Sequence, residues 1–306
     1  MNSDKSDEDT EELPVAPVPH EGLGPETGSS RVVVDLAAVS DRGLVRENNQ
    51  DHYLVLRFRR SMERLLTNLL ADQVPARAEE VGYGFVVADG MGGPTGGEVA
   101  SEIAISTLVN LVLHESDWLF GISPEDTRRR LQRMAKRWER VQEAIRVRGE
   151  QEPTLGQMGT TMIAAVSLGT RLVIGHIGDS RLYVFRRGQL HQLTRDHTLV
   201  QTMVDLGELT PEEAVTHPRR DLLMRSFSAA GDAYQGDFQQ ATLADGDQLL
   251  LCTDGLTDMV DNEAIGSVLS RTASPDEACQ SLVAAALNNG GKDNVTIALA
   301  RYRIPQ

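Results

Sequence analysis

Short β-rich runs separated by very short turns constrain the fold of this chain more than any other feature. Three of them lie at 160–168, 171–177 and 182–187, separated by turns at Gly169-Thr170 and Gly178-Asp179-Ser180. This is the spacing of an antiparallel meander. Helical stretches occur in blocks between clusters of strands, which favours α+β layers over a doubly wound βαβ sheet.

The other elements are predicted from β-branched runs and from apolar residues at helical spacing. Strands are predicted at 32–40, 52–56, 83–88, 248–252 and 295–302. Helices are predicted at 98–114, 123–148, 198–206, 211–216 and 263–270. Ser123 is the expected N-cap of the second helix, and a last helix is expected to start at a capping box on Ser274 and Glu277.

Residues 57–82 form an insertion with apolar residues at helical spacing, namely Phe58, Met62, Leu65, Leu66 and Leu69. We interpret it as a helical insertion that packs on the surface of the domain. A helix that docks a partner protein is the alternative.

The chain of 306 residues has a formal charge of −15, and much of the acidity lies at its start. Residues 1–30 hold eight acidic side chains and one lysine, with little apolar surface to bury. We therefore expect a disordered acidic tail at 1–30 and one folded domain at 31–306. A strongly acidic chain lacks the basic footprint of a nucleic-acid-binding protein, so no nucleic-acid partner is expected.

Two observations bear on the compartment. The apolar stretch 104–113 is shorter than the roughly 20 residues that span a bilayer, and the first residues lack a secretory signal pattern. We therefore expect no membrane association and a cytoplasmic location. Cys252 and Cys279 show no metal-binding spacing and are predicted to be reduced core residues.

Aspartates recur at the ends of the predicted strands. Asp89, Asp179 and Asp254 each adjoin a glycine, Asp293 comes just before the last strand, and Asp51 comes just before the second. Loops at strand ends meet at the rim of a sheet, so distant carboxylates can converge there. Clustered carboxylates repel one another unless a cation neutralises them. An all-oxygen ligand set favours Mg²⁺ or Mn²⁺ over Zn²⁺.

Six motifs occur in an order and spacing that resemble the metal-dependent protein serine/threonine phosphatases of the protein phosphatase 2C (PPM) family, bacterial branch. They are Arg46-Glu47-Asn48-Asn49-Gln50-Asp51, Asp89-Gly90-Met91-Gly92-Gly93, Met158-Gly159-Thr160-Thr161, Gly178-Asp179-Ser180-Arg181, Thr253-Asp254-Gly255-Leu256-Thr257-Asp258 and Lys292-Asp293-Asn294-Val295-Thr296. The similarity extends from about residue 31 to 302, and residues 193–226 resemble the family's flap segment. The resemblance implies a four-layer α/β/β/α sandwich of two packed antiparallel sheets flanked by helices.

The resemblance also implies a dinuclear metal site. Asp89 would bridge two ions of Mg²⁺ or Mn²⁺, and Asp254 and Asp293 would complete the ligands of the first. The carbonyl of Gly90 would bind the second ion, and Asp51 would orient bound water. Two such ions lower the pKa of a water molecule between them and stabilise charge during in-line displacement at phosphorus.

Further roles carry over from the same family. Asp179 and Asp258 correspond to ligands of a third, weaker ion, and Arg46 would hold the substrate phosphate through two parallel charge-assisted bonds. Two positions depart from the pattern of some relatives. Gln50 replaces an anionic glutamate, and Met91 stands where some eukaryotic relatives have a histidine proposed as the general acid.

The implied activity is hydrolysis of phosphoserine and phosphothreonine monoesters on proteins by a metal-activated water attacking in line. The expected partners are phosphorylated proteins, such as a bacterial Ser/Thr kinase or its targets, and the expected state is a monomer. Two alternatives stay open: a non-catalytic module of the same fold that binds phosphoproteins or senses a ligand, and a phosphatase for small phosphoesters.

Overall fold

Two five-stranded antiparallel sheets form the body of the protein. The structure is a computed structural model that describes residues 29, 31–70, 72–93, 95–114, 124–231 and 234–305. The strands in this part of the chain are β1 Val33–Asp41, β2 His52–Glu63, β3 Arg77–Ala88, β4 Gly90–Met91, β5 Gly159–Thr160, β6 Met162–Leu168, β7 Arg171–Ile177, β8 Arg181–Arg186, β9 Gln189–Gln192, β10 Phe227–Ser228, β11 Asp237–Thr242, β12 Gln248–Cys252 and β13 Val295–Arg303. The α-helices are α1 Gly96–His114, α2 Pro124–Gln151, α3 Leu199–Asp205, α4 Pro211–Val215, α5 Asp254–Thr257, α6 Asn262–Arg271 and α7 Pro275–Asn288.

Each large sheet combines segments that are distant in sequence. The first sheet has the order β1-β13-β12-β8-β9 and the second has the order β11-β7-β6-β3-β2. A small third sheet, β10-β5-β4, lies beside the glycine-rich segment after β3. Neighbouring strands are antiparallel throughout, and the predicted meander 160–187 supplies β6 and β7 to the second sheet and β8 to the first.

The two large sheets pack face to face through a buried apolar layer. Phe85 and Ile163 of the second sheet meet Leu182, Leu251 and Ala298 of the first. These side chains alternate with others that point to the opposite face of their strand, as the two-residue repeat of a strand requires.

Helices cover the outer face of each sheet. Trp138 and Ile145 of α2 and Ala104 of α1 pack on the second sheet, while Ile265 of α6 and Leu282 of α7 pack on the first. The order is therefore helix, sheet, sheet, helix, which confirms the predicted α+β sandwich of four layers.

Helix α1 is longer and more apolar than its apolar stretch 104–113 indicated. It has 19 residues and a mean hydropathy of 1.3 over an 18-residue window, so it has the length and composition of a membrane span. Ala100, Ala104 and Leu108 of this helix are buried against the second sheet and α2. In all, 33% of the window is buried, on the face that packs against the second sheet and α2.

The ends of the last helix partly follow the sequence prediction. The Ser274 hydroxyl accepts a hydrogen bond from the N–H of Glu277 at 3.2 Å, as an N-cap should. The Glu277 carboxylate accepts from the N–H of Ala273 rather than of Ser274, so the expected reciprocal box is not formed. Thr210 and Glu213 form such a box at the start of α4.

The helical insertion predicted at 57–82 is wrong. Strands β2 and β3 extend through it as a long hairpin in which Glu63 pairs with Arg77, and a loop joins them. Phe58 lies opposite Gly82, where an added Cβ would approach the phenyl ring to 2.2 Å. Backbone pairing along twelve residues outweighs the local helical periodicity, and the leucines of the periodic pattern are exposed, Leu66 to 95%.

Some predictions fall outside the described residues. These are the disordered tail, apart from Ser29, and the capping role of Ser123. The structure describes the flap segment 193–226, which carries the predicted helical pair as α3 and α4. Cys252 and Cys279 are free and buried, as predicted.

Candidate active site

A cleft of about 570 Å³ opens where strands of both large sheets end. The sequence-predicted residues that line it are Arg46, Asp89, Gly90, Asp179, Asp254, Asp258 and Asp293. Asp89 follows β3, Asp179 follows β7 and Asp293 precedes β13, so both sheets contribute carboxylates. The structure thus brings together side chains that are up to about 250 residues apart in sequence.

The backbone around Asp89 is tightly held. Its carbonyl accepts from the Thr161 N–H at 2.9 Å and from the Thr160 hydroxyl at 2.8 Å, and its N–H donates to the Thr161 hydroxyl at 3.1 Å. The next residue, Gly90, touches the first turn of α1, where an added Cβ would lie 2.1 Å from the carbonyl oxygen of Gly97. Glycine at position 90 is therefore required by close backbone approach.

Asn294 holds the loop that carries Arg46. Its amide group donates to the carbonyls of Arg42 and Asn48 at 2.8 and 2.9 Å, and its amide oxygen accepts from the N–H of Gln50 at 2.8 Å. Because all these bonds are made by one buried side chain next to Asp293, the loop and that carboxylate are positioned together.

Two guanidinium groups reach the carboxylates of the cleft. Arg46 donates from Nη2 to Oδ2 of Asp293 at 2.5 Å, and this hydrogen bond raises the pKa of the arginine. Arg220, from the flap segment, donates from Nη2 to Oδ2 of Asp258 at 2.7 Å. Sequence reasoning did not identify Arg220, because an arginine within a charged loop carries no local signal of a role.

Asp51 lies behind the cleft and is almost completely buried. Its Oδ2 accepts from the Thr253 hydroxyl at 2.9 Å, whereas its Oδ1 has no hydrogen-bond partner. Burial raises the pKa of Asp51 to about 7, and the charges of Asp254 and Asp293 add to this, while hydrogen bonds from Thr296 and Thr253 oppose it.

Burial also disfavours ionisation of Asp89, Asp179 and Asp254 in the cleft. Burial raises the pKa of Asp254 to about 6, with further contributions from Asp293 and Asp258. Burial, followed by the charges of neighbouring aspartates, raises the pKa of Asp89 and of Asp179 well above the ordinary value. The neighbouring Asp89 opposes this shift and lowers the pKa of Asp254 in part.

The donor set fits a hard divalent cation. Oxygen atoms supply all the predicted ligands, and the buried Oδ1 of Asp254 lacks a hydrogen-bond partner. As the side chains stand, no three carboxylate, imidazole or thiolate groups of the described residues are close enough together to hold an ion. Arg46 and Arg220 engage two of the carboxylates, so binding of a cation would require Asp293 to exchange Arg46 for the ion.

The fold and the cleft define the class of protein: an α/β/β/α sandwich with an acidic site at the sheet ends. A family model described as protein phosphatase 2C matches residues 68–289. This chain belongs to the protein phosphatase 2C family, as the six motifs predicted.

The relatives are bacterial. The serine/threonine protein phosphatase PstP of Mycobacterium tuberculosis (strain H37Rv) is 39% identical over 269 residues, which cover 88% of this chain and 45% of PstP. This chain therefore spans less than half the length of that relative. The serine/threonine phosphatase stp of Listeria monocytogenes serovar 1/2a is 32% identical over 271 residues, which cover 87% of this chain and 95% of stp.

Solved structures show the same architecture. The crystal structure of the M. tuberculosis phosphatase PstP/Ppp is 37% identical with a TM-score of 0.71, and the match covers 88% of this chain and 99% of that one. A structure of the PstP catalytic domain in complex with two manganese ions is 35% identical with a TM-score of 0.68, covering 89% and 99%.

Proposed function

We propose that this protein hydrolyses phosphoserine and phosphothreonine monoesters on proteins, with Mg²⁺ or Mn²⁺ as cofactor. One observation carries the proposal: Asp89, Asp254 and Asp293, with raised pKa values at the first two, lie with Arg46 in one open cleft. Carboxylates that repel one another are costly to keep together unless a cation neutralises them. The relatives named as serine/threonine phosphatases, including one solved with two manganese ions, support the same activity.

In this proposal Asp89 would be shared between two cations. Asp254 and Asp293 would help to hold the first cation, and the carbonyl of Gly90 would help to hold the second. The close contact between Gly90 and Gly97 fixes the backbone at Gly90. When bound, the two cations supply a nucleophilic water near neutral pH and stabilise negative charge on the reacting phosphate. Gln50 offers no carboxylate, so the second cation would be held more through water.

Asp179 and Asp258 would hold a third, weaker cation. Both line the same cleft, and burial raises the pKa of each. Arg220 already pairs with Asp258, so a cation there would have to compete with a guanidinium group, and we expect it to bind weakly.

Arg46 and Asp51 have separate tasks. Arg46 is half exposed at the mouth of the cleft, where its guanidinium group can leave Asp293 and form two parallel bonds to a phosphate. The Oδ2 of Asp51 is held by Thr253 behind the cleft, its buried Oδ1 has no hydrogen-bond partner, and in this proposal Asp51 would orient bound water. The water oxygen bonds to phosphorus while the bond from phosphorus to the serine or threonine oxygen breaks.

The leaving oxygen needs a proton. Met91 lines the cleft and has no proton to give. His52 is not among the cleft-lining residues, and its Nδ1 forms a hydrogen bond with the Ser101 hydroxyl at 2.8 Å. We therefore assign the proton to water in the open cleft.

The proposed substrates are phosphorylated proteins, among them a Ser/Thr kinase or its targets. We further propose that the protein acts as a monomer in the cytoplasm, away from membranes. Its two buried free cysteines suit a reducing compartment.

The test is hydrolysis of a phosphothreonine peptide and of a small phosphoester, with EDTA and with excess Mn²⁺. We expect Mn²⁺-dependent turnover, with the peptide preferred. Asp89→Asn should abolish turnover and weaken Mn²⁺ binding in calorimetry while the protein stays folded. The control is Asp35→Asn, which removes the same charge at the exposed ion pair with Arg303. It should leave turnover and Mn²⁺ binding unchanged. If the protein binds the phosphopeptide without hydrolysing it, the result favours the non-catalytic module. If it hydrolyses the peptide and the small phosphoester equally well, the result favours a phosphatase for small phosphoesters.

A further inference from the structure

His197 of the flap segment bonds directly to the turn that carries Asp179. Gly178, with a φ of +107°, leaves no room for a side chain, since an added Cβ would lie 2.5 Å from Thr161. Both polar backbone groups of Gly178 bond to His197: its carbonyl accepts from the His197 N–H at 2.8 Å, and its N–H donates to Nδ1 of His197 at 3.1 Å.

The ring of His197 is locked in one tautomer. Because Nδ1 accepts a hydrogen bond, the proton lies on Nε2, which donates to Oδ2 of Asp237 at 3.1 Å. The other oxygen of Asp237 accepts from Arg225 at 3.3 Å, and the ring of His176 lies 4.7 Å from the His197 ring. The His197 side chain is only 5% exposed, and burial lowers its pKa, which keeps the ring neutral.

The two ends of the flap segment meet at His197. Its carbonyl accepts from the N–H of Met224 at 2.7 Å, and the next residue, Thr198, forms a β-bridge with Leu223. The flap segment is therefore a closed loop whose base lies against the peptide that precedes Asp179.

The rest of the flap segment forms one wall of the cleft. Arg220 and Asp221 line it, and Arg220 pairs with Asp258, which shares the cleft with Asp179. A shift of the turn that carries Asp179 can reach this wall through the two hydrogen bonds of His197, which lie beside the ion pair of Arg181 with Asp196.

We propose that His197 is a positioning residue that couples the flap segment to the Asp179 turn. A divalent cation bound at Asp179 and a phosphopeptide bound beneath the flap then strengthen each other's binding by the same factor. The inference rests on the proposed function and assigns to it a residue outside the metal and phosphate ligands.

Two substitutions in the 306-residue chain separate the roles of the two ring nitrogens of His197. His197→Asn places an oxygen near the position of Nδ1 and keeps an acceptor for the Gly178 N–H. His197→Gln places its amide near Nε2, where it can donate to Asp237 but cannot accept from Gly178. His197→Ala removes both contacts. His217→Ala is the matched control, since this histidine also lies in the flap segment but bonds only locally, to the N–H of Arg219.

The first readout is hydrogen exchange at the amides of Leu199 and Met224, with and without Mn²⁺. Mn²⁺ should slow exchange at these two amides roughly tenfold or more in the wild type and in the His217→Ala and His197→Asn variants. A tenfold effect lies within the usual range of coupling between sites. In His197→Gln, His197→Ala and Asp179→Asn the slowing should be lost.

The second readout is the KM for a phosphopeptide as Mn²⁺ is raised. We expect KM to fall roughly tenfold in the wild type and in His197→Asn, and to stay flat in His197→Gln. Equal behaviour of the Asn and Gln variants in both readouts would overturn the proposal, even if the Ala variant does not fold. The proposal would also be overturned if the wild type hydrolyses phosphopeptide but the hydrogen-exchange rate of the Met224 amide does not change with Mn²⁺. That result would leave the proposed function intact.

Discussion

Asp51 is a buried carboxyl group that should destabilise the metal-free protein, and its removal tests this directly. In the folded protein its pKa is about 7, compared with an ordinary value of 3.8, chiefly because of burial. The folded state therefore binds the Asp51 proton more tightly than the unfolded state. Stability is lost as the pH rises from about 3.8 to about 7, because the unfolded chain ionises first.

The size of the effect follows from the two pKa values. The difference between about 7 and 3.8, at ~1.4 kcal/mol per pH unit, corresponds to about 4 kcal/mol at pH 8 and about 2 kcal/mol at pH 5.5. Asp51→Asn removes this cost, keeps an oxygen for the Thr253 hydroxyl and leaves an amide N–H group at the unpartnered Oδ1 position. An unsatisfied buried donor costs about 2 kcal/mol.

Asp51→Asn should therefore be more stable than the wild type by about 2 kcal/mol at pH 8 and equally stable near pH 5.5. The measurement is the free energy of unfolding from urea denaturation in EDTA at several pH values. Asp35→Asn, at the exposed ion pair with Arg303, should show no pH-dependent gain. A difference between Asp51→Asn and wild type that stays constant from pH 5.5 to pH 8 would refute the reasoning.

Three further changes have defined outcomes. Arg46→Ala should raise the KM for a phosphopeptide by roughly 10- to 100-fold, as expected for loss of a charge-assisted contact; a loss confined to kcat would move its role to the transition state. Asp258→Ala should lower turnover severalfold and leave two Mn²⁺ ions bound in calorimetry, and loss of all Mn²⁺ binding would contradict its assignment to a third site. Gly82→Ala should lower the free energy of unfolding by about 1 to 3 kcal/mol, because its Cβ meets the Phe58 ring; Phe58→Leu in the same chain should recover part of this, and an unchanged urea midpoint for Gly82→Ala would contradict the packing.

The hairpin at 52–88 shows where local patterns are insufficient. Leu65, Leu66 and Leu69 recur at helical spacing, yet they lie beyond the paired strands and are exposed. The decisive partner of Phe58 is Gly82, 24 residues away, and no periodicity within 57–73 contains that information. Pairing with a distant strand decided the structure of the segment.

Two of the four edge strands of the large sheets were not predicted from the sequence. β9 at Gln189–Gln192 and β11 at Asp237–Thr242 are short, polar and partly exposed, so they lack the apolar runs that reveal buried strands. Each is ordered by hydrogen bonds to one neighbour, β8 and β7 respectively. By contrast, β7 and β12 were predicted at their observed bounds, because they are buried on both faces.

The sequence by itself determined the family and the four-layer architecture, and it identified the aspartates of the cleft. These depend on residue type at fixed positions along the chain: an aspartate after a strand, or a glycine where backbones touch. Only the tertiary structure decided which charges meet. The pairing of Arg220 with Asp258, the bonds of His197 to Gly178 and the raised pKa of Asp51 all depend on distances between segments that are far apart in sequence. Burial and Coulomb interactions act through space, so they become defined only when the two sheets have packed.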